Sequence, residues 1–140
     1  MSSSEEYKIQ RISFEKTWPI RHRVMWPDQA IDYVVLEHDQ QGEHFGVLKT
    51  VRLISVIYLF ITGNKAQFRK FATEQQEQGK GYGSQLLNYL IKYARTQNIS
   101  ILWCNARKDK IAYYQKFGFQ LTEQTFSKGG LAYIVLEKHL

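Results

Sequence analysis

The chain has 140 residues, 44% of them hydrophobic and 14% aromatic, which is typical of one globular domain and excludes a disordered chain. The net charge is +6, but the basic residues are dispersed and no nucleic-acid-binding motif accompanies them, so the charge suits a small polyanionic ligand better than a nucleic acid. The single cysteine, Cys104, excludes an intrachain disulfide framework and a cysteine-based zinc cluster, and we expect no metal site.

The first part of the chain alternates short strands with helical or irregular segments. Alternating polar and apolar residues predict a strand over 7–13. The apolar spacing over 14–25 is helix-like but is interrupted by Pro19, which suits a first helical turn better than a helix interior. A further short helical or irregular segment is expected over 27–35. Three more strands are predicted after it, over residues 44–49, 53–61 and 67–73.

The second part contains the most regular pattern. In the strand over 67–73, Phe68 and Phe71 break the alternation, which predicts a bulge or a splayed end. Apolar residues at helical spacing over 86–94 predict an amphipathic helix. A short strand is predicted over 99–104, and a helix over 109–117 that ends at Gly118. A hairpin is predicted over 119–138, with its turn at 128–130. This order indicates an α/β (α+β) fold with a mixed sheet.

A glycine-rich segment stands between a predicted strand and the strongest predicted helix. Its sequence, from Gln78 to Ser84, is Gln-Gly-Lys-Gly-Tyr-Gly-Ser. Glycine lets the backbone approach a ligand closely, and free N–H groups at a helix start attract anions. The segment therefore indicates a phosphate or pyrophosphate cradle, with a flexible turn as the alternative. Neither the P-loop spacing nor the dinucleotide-binding spacing fits it.

Two motifs give the chain a family resemblance. Gln78, Gly81 and Gly83 match the motif Q/R-x-x-G-x-G/A, in which x is any residue. The second motif, A-x-Y-x-K-x-G-F, is matched by Ala112, Tyr114, Lys116, Gly118 and Phe119. With both motifs at the expected separation, the chain resembles the GCN5-related N-acetyltransferases (the GNAT superfamily), firmly over residues 44–138. Among them it looks like the small bacterial members.

The resemblance implies a fold and a cofactor. The fold is a single domain with a mixed, mostly antiparallel sheet of about seven strands, whose central pair is splayed, flanked by about four helices. The cofactor is acetyl-CoA. The pantetheine arm is expected to pair with the splayed strand end, and the pyrophosphate to lie on the glycine segment. The implied cofactor-binding residues are Phe71, Ala72, Thr73, Gln78, Gly79, Lys80, Gly81, Tyr82, Gly83 and Ser84.

The resemblance also implies an N-acetyltransferase that moves an acetyl group directly to an amine of a small molecule, peptide or protein. Tyr114 stands at the position of the acid that protonates the departing thiolate, with a packing tyrosine as the alternative; the neighbouring Tyr113 is expected in the core. Asn105 occupies the place where many members carry a glutamate base, and Arg107 the place of a cofactor-contacting asparagine. Asn105 is expected to contact the cofactor by a hydrogen bond to the pantetheine, with orientation of a water as the alternative. Arg107 is expected to pair with a cofactor phosphate, with a surface salt bridge or a solvated side chain as the alternative.

The general base stays open at this point. The candidates are Asp39, His38, Glu43 and His44, and proton removal through water is the alternative. Cys104, in an apolar strand, is expected to be buried and inert.

The sequence leaves two rival functions open and gives expectations for localisation and partners. Without the glutamate base, a non-catalytic acyl-CoA-binding or sensing module is a rival function, and a basic nucleic-acid-binding protein is a weaker one. The longest apolar run, over 53–61, is too short to span a membrane, and residues 1–6 lack a signal-peptide pattern. We expect a cytoplasmic enzyme with one domain over residues 1–140, a short flexible tail over 1–6, an amine-bearing acceptor and no membrane partner. The oligomeric state stays open, with a homodimer as one alternative because small domains of this kind often pair.

Overall fold

A computed structural model describes residues 6–140, in which seven strands form one sheet. The tail expected over 1–6 lies almost entirely outside the described residues. In chain order the strands are β1 (Tyr7–Ile12), β2 (Glu43–Lys49), β3 (Arg52–Thr62), β4 (Lys65–Thr73), β5 (Ile101–Arg107), β6 (Gln120–Lys128) and β7 (Leu131–His139). The three α-helices of the described part are α1 (Thr17–Met25), α2 (Tyr82–Thr96) and α3 (Ile111–Gln115).

The strand order across the sheet is β1-β2-β3-β4-β5-β7-β6. All neighbours are antiparallel except the central pair β4 and β5, which run parallel because α2 makes the crossover between them. The mixed, mostly antiparallel seven-stranded sheet expected from the sequence is confirmed. None of the three helices among residues 6–140 combines the length and the apolar character that crossing a bilayer requires.

Fewer α-helices flank the sheet than expected. Helix α1 has Pro19 in its first turn, where backbone N–H groups have no partner within the helix, so the N–H that proline lacks is not needed. The segment over 27–35 contributes only a 3-10 turn, Ile31–Val34, because the residues on both sides, Ala30 and Val35, are extended. The expectation of about four helices therefore counts one α-helix too many.

The two faces of the sheet carry cores of different size. The apolar side of α2, with Leu86, Leu87 and Leu90, packs with the larger cluster of buried residues from the sheet. On the smaller cluster, Ile20 of α1 packs with Val56 and Ala72. Because α2 is anchored along its whole apolar side, its N-terminus has a fixed position at the end of β4.

Candidate active site

The central strands pair only at one end. The β4–β5 ladder consists of Lys65–Ile101, Ala66–Leu102 and Gln67–Trp103, although β4 continues to Thr73 and β5 to Arg107. The two strands diverge beyond this ladder, and a cavity of about 650 Å³ opens between them. Backbone N–H and C=O groups that face such a gap need a partner, and a ligand with amide groups can provide it. The splay expected from the sequence is confirmed.

A bulge in β4 shapes the wall of this cavity. Ala72 pairs with Val56, and Arg69 pairs with Tyr58, so Lys70 and Phe71 together stand opposite Ile57. Lys70 has a φ of +52°, which is uncommon for a residue with a side chain. The irregularity predicted around Phe68 and Phe71 is confirmed as this bulge.

The glycine segment borders the cavity where α2 begins. Gly79 and Gly81 have φ values of +78° and +90°, and neither has an atom within 4 Å of the place where a Cβ would stand. At Gly83 a Cβ would lie 3.2 Å from Thr73 Oγ1 and 3.3 Å from Phe71 Cζ, so the first turn of α2 fits closely against the end of β4. The side-chain Nε2 of Gln78 donates a hydrogen bond of 3.0 Å to the carbonyl of Thr73. The free N–H groups at the start of α2 therefore border an open space.

Sequence reasoning missed the residue that holds this segment in place. Glu77 is buried and accepts hydrogen bonds from Lys49 at 3.0 Å, Arg52 at 2.8 Å and Lys80 at 3.2 Å. The hydrogen bond from Lys49 is the main reason that the pKa of Glu77 lies below its usual range. The three cations come from β2, β3 and the glycine segment, so no local pattern marks the cluster. Lys80 consequently points to Glu77 and, unlike the other predicted cofactor-binding residues, is not part of the cavity lining.

Two adjacent tyrosines of α3 line the cavity. Tyr114 packs against Phe68 and Phe119, with ring centroids 5.5 and 6.0 Å away, and among residues 6–140 its hydroxyl has no hydrogen-bond partner. Burial raises the pKa of Tyr114, and Cys104 and Tyr113 raise it further. The hydroxyl thus keeps its proton at neutral pH. Tyr113, expected in the core, also reaches the cavity, and its hydroxyl lies 2.9 Å from Ser84 Oγ.

The strand β5 supplies the opposite wall. Asn105 and Arg107 alternate with the buried Cys104 and Ala106, and both are exposed on the cavity side. Burial raises the pKa of Cys104 to about 12, so the thiol is inert as expected. All the predicted site residues except Lys80 are brought together around one cavity: Phe71, Ala72, Thr73, Gln78, Gly79, Gly81, Tyr82, Gly83, Ser84, Asn105, Arg107 and Tyr114.

The four candidates for the general base lie elsewhere. Asp39 is buried in an ion pair with Arg21 Nη1 at 2.9 Å, and His44 Nε2 lies 2.8 Å from the Asp39 carbonyl. Glu43 pairs with Arg11 at 3.1 Å, and His38 Nδ1 lies 3.2 Å from Gln41 Oε1. None of the four lines the cavity. These four side chains therefore do not reach the cavity; Asp39, His38 and His44 bond within or next to the segment between α1 and β2, and Glu43 pairs across β1 and β2.

The cavity has a second end that the motifs did not indicate. We call it the distal end. It is lined by Trp26, Arg69, Lys70, Phe126, Lys128 and Tyr133. These residues come from the end of α1, the β4 bulge and the β6–β7 hairpin, and are far apart in the chain. The signal in the sequence is the adjacent pair Arg69 and Lys70, two charges in the segment predicted as a strand over 67–73.

Comparison with known proteins places this geometry in context. The chain matches the Acetyltransferase (GNAT) family over residues 5–119. It is 28% identical to YitI of Bacillus subtilis (strain 168), an uncharacterized N-acetyltransferase, over 95% of this chain and 96% of that protein. A Bacillus subtilis acetyltransferase in complex with CoA superposes with a TM-score of 0.74 at 19% identity, over 96% of this chain and 99% of that one. A GNAT family acetyltransferase from Elizabethkingia anophelis with acetyl-CoA bound gives a TM-score of 0.72 at 17% identity, over 99% and 100% of the chains.

Proposed function

The chain belongs to the Acetyltransferase (GNAT) family and is an acetyl-CoA-dependent N-acetyltransferase, and from that premise we propose which of its residues perform the reaction. The observation that carries the proposal is the early end of the β4–β5 ladder beside the N-terminus of α2. It joins unpaired backbone groups and an anion-binding helix start in one cavity, which are the two features that pantetheine and pyrophosphate need.

The residues present fit this cosubstrate. Gly79 and Gly81 have open space where a side chain would stand, so a phosphate can approach the backbone N–H groups of the segment. We propose that this segment holds the pyrophosphate and that the backbone of β4 from Phe71 to Thr73 holds the pantetheine arm. We propose that Asn105, which lines the cavity from β5, hydrogen-bonds the same arm. Arg107, an exposed residue of the cavity lining, is assigned to a phosphate.

Acetyl-CoA, when bound, supplies the activated acetyl group. We assign the proton of the Tyr114 hydroxyl to the departing sulfur, because Tyr114 lines the cavity and its hydroxyl has no hydrogen-bond partner among residues 6–140 and stays protonated. The acceptor must lose a proton as well. Among residues 6–140, Glu77 is the one carboxylate on the cavity, and three cations already neutralise it. We therefore propose that the acceptor proton leaves through water.

The substitution Gly81→Val tests the cradle. It places a branched side chain in the open space beside the helix start and is expected to weaken acetyl-CoA binding at least about tenfold, as measured by calorimetry. Gly63→Val is the matched control, since Gly63 also has a positive φ, +64°, and open space but lies in the β3–β4 turn, away from the cavity. Equal affinity in a folded Gly81→Val variant would contradict the cradle.

A second measurement tests turnover. The purified protein with acetyl-CoA and a panel of amines is expected to release CoA in the presence of at least one of them. Binding of acetyl-CoA without release of CoA by any amine would instead favour the sensing module.

Together with this activity we propose a cytoplasmic enzyme that pairs as a homodimer and binds no nucleic acid or membrane. Sedimentation analysis tests the homodimer. A DNA-binding assay at about 200 mM salt tests for nucleic-acid binding, because dispersed phosphate contacts alone weaken steeply at that concentration.

A further inference from the structure

The charges around the distal end are almost all positive. Arg69, Lys70 and Lys128 line it, and Arg107 and Lys110 line the cavity nearby. The acidic residue of the lining, Glu77, is paired with three cations beside the glycine segment. A protonated amine that enters this cavity therefore meets like charges. A polyamine or a plain alkylamine suits such a site poorly, because no described carboxylate is left to hold it.

Lys70 is the central cation of this end. It stands on the β4 bulge, is half-buried, and has no ion-pair partner among residues 6–140. The largest charge effects on it come from the cations Arg69, Arg21 and Lys128 and from the acid Asp39, which is itself bound to Arg21. Desolvation and then the nearby cations lower the pKa of Lys70 to about 8. A half-buried ammonium without a counter-ion is costly, and a ligand anion would compensate for this cost.

Lys70 and the glycine segment stand beside different parts of β4. The largest charge effects on Lys70 come from β4 itself, α1, the segment before β2 and the β6–β7 hairpin. The glycine segment borders Thr73, three residues farther along β4, where Gln78 bonds the Thr73 carbonyl and Gly83 packs against the Thr73 side chain.

Aromatic side chains complete the distal end. The rings of Phe126 and Tyr133 stack across the hairpin with centroids 5.2 Å apart and an angle of 10° between their planes. Phe126 is 39% exposed, which is a large exposed fraction for a phenylalanine on a cavity wall. Trp26, at the end of α1, faces the same space. These surfaces favour a flat or apolar part of a ligand beside the cations.

From this arrangement, and resting on the proposed function, we infer that the acceptor is an amine that also carries an anionic group, a carboxylate or a phosphate, held at the distal end by Lys70 and Lys128. The apolar part of the acceptor lies against Phe126 and Tyr133. The anion neutralises the cations, and the amine is directed from there toward the splay between β4 and β5.

Binding of small probes to the CoA-loaded protein tests this inference without requiring turnover. The probes are phenylacetate, phenyl phosphate and the neutral phenylacetamide, titrated while NMR or calorimetry follows binding. At least one anion is expected to bind about tenfold more tightly than the amide, because a charge-assisted hydrogen bond contributes that much. The anion that binds more tightly distinguishes carboxylate from phosphate.

Lysine variants test whether the preference for anionic probes depends on Lys70 and Lys128. Lys70→Met is expected to lower the anion preference about tenfold, while the affinity for CoA stays within about twofold. Lys128→Met, on the exposed hairpin, is the second variant if the bulge does not tolerate methionine, and it is expected to lower the preference as well. Lys92→Met, on the exposed side of α2 and away from the cavity, is the control and is expected to keep the wild-type preference.

Three results would overturn the inference: equal affinity for the anions and the amide, no saturable anion binding up to about 20 mM, or an unchanged preference in the folded lysine variants. The proposed function fails in a different way, because CoA itself would then not bind to the wild-type protein. The two outcomes are separated in the same titration.

Discussion

Replacing Tyr114 with phenylalanine removes one hydroxyl and leaves the packing in place. The ring keeps its contacts with Phe68, Tyr113 and Phe119, whose centroids lie 5.3 to 6.0 Å away. The hydroxyl has no hydrogen-bond partner among residues 6–140, so its loss leaves no other polar group unpaired. The melting temperature and the acetyl-CoA affinity of Tyr114→Phe are therefore expected to stay close to those of the wild type.

The effect on turnover is expected to be much larger. General-acid catalysis contributes about 10² to 10⁴ in rate, and a thiolate leaves readily, so we expect a loss of about 10- to 300-fold in kcat. This loss corresponds to about 1.4 to 3.4 kcal/mol of activation free energy. Because burial raises the pKa of Tyr114, the acid form persists in alkaline solution, and titration of this group should not lower wild-type turnover between about pH 7 and 9.5.

The assay is CoA release at saturating acetyl-CoA and a fixed amine. Tyr113→Phe is the matched control, since Tyr113 lines the same cavity and bonds Ser84, so its hydroxyl affects the helix start and not the departing sulfur. It should keep nearly full turnover. Full turnover in Tyr114→Phe would refute the assignment and make Tyr114 a packing residue, with the thiolate protonated by solvent. An equal loss in both variants would indicate a general effect on the cavity.

Three further predictions concern the cofactor and the fold. Arg107→Ala should raise the Kd of CoA more than that of dephospho-CoA in calorimetry if the 3′-phosphate is its partner, and equal losses would contradict that partner. Asp39→Asn leaves the buried Arg21 without its counter-ion and should lower the free energy of unfolding by about 3–5 kcal/mol in urea titrations, whereas the exposed Asp28→Asn should not. Burial lowers the pKa of His44 below its usual range near 6.5, so the unfolded chain binds that proton more readily. The free energy of unfolding should therefore fall as the pH drops from about 7 to 5, and an equally steep fall in His44→Gln would exclude His44 as the cause.

The sequence by itself determined most of the elements and the glycine segment that borders the cavity, because the signals for both are local. Apolar residues at helical spacing place α2, and the two glycines over 129–130 place the hairpin turn between Lys128 and Leu131. The proposed cradle depends on backbone N–H groups at a helix start, so the position of the glycine segment in the chain is enough to locate it. The splay of β4 could be anticipated in the same way, from the irregular spacing of Phe68 and Phe71.

Only the tertiary structure decided which distant side chains meet. The cluster around Glu77 joins residues from β2, β3 and the glycine segment, and the distal end joins Lys70 with a hairpin almost 60 residues later in the chain. The structure also directs His44 into the core and not to the cavity. A residue's chemistry can be read from its identity, but its partners depend on sheet order and register. Those are set by packing across the whole chain, which no single segment of the sequence contains.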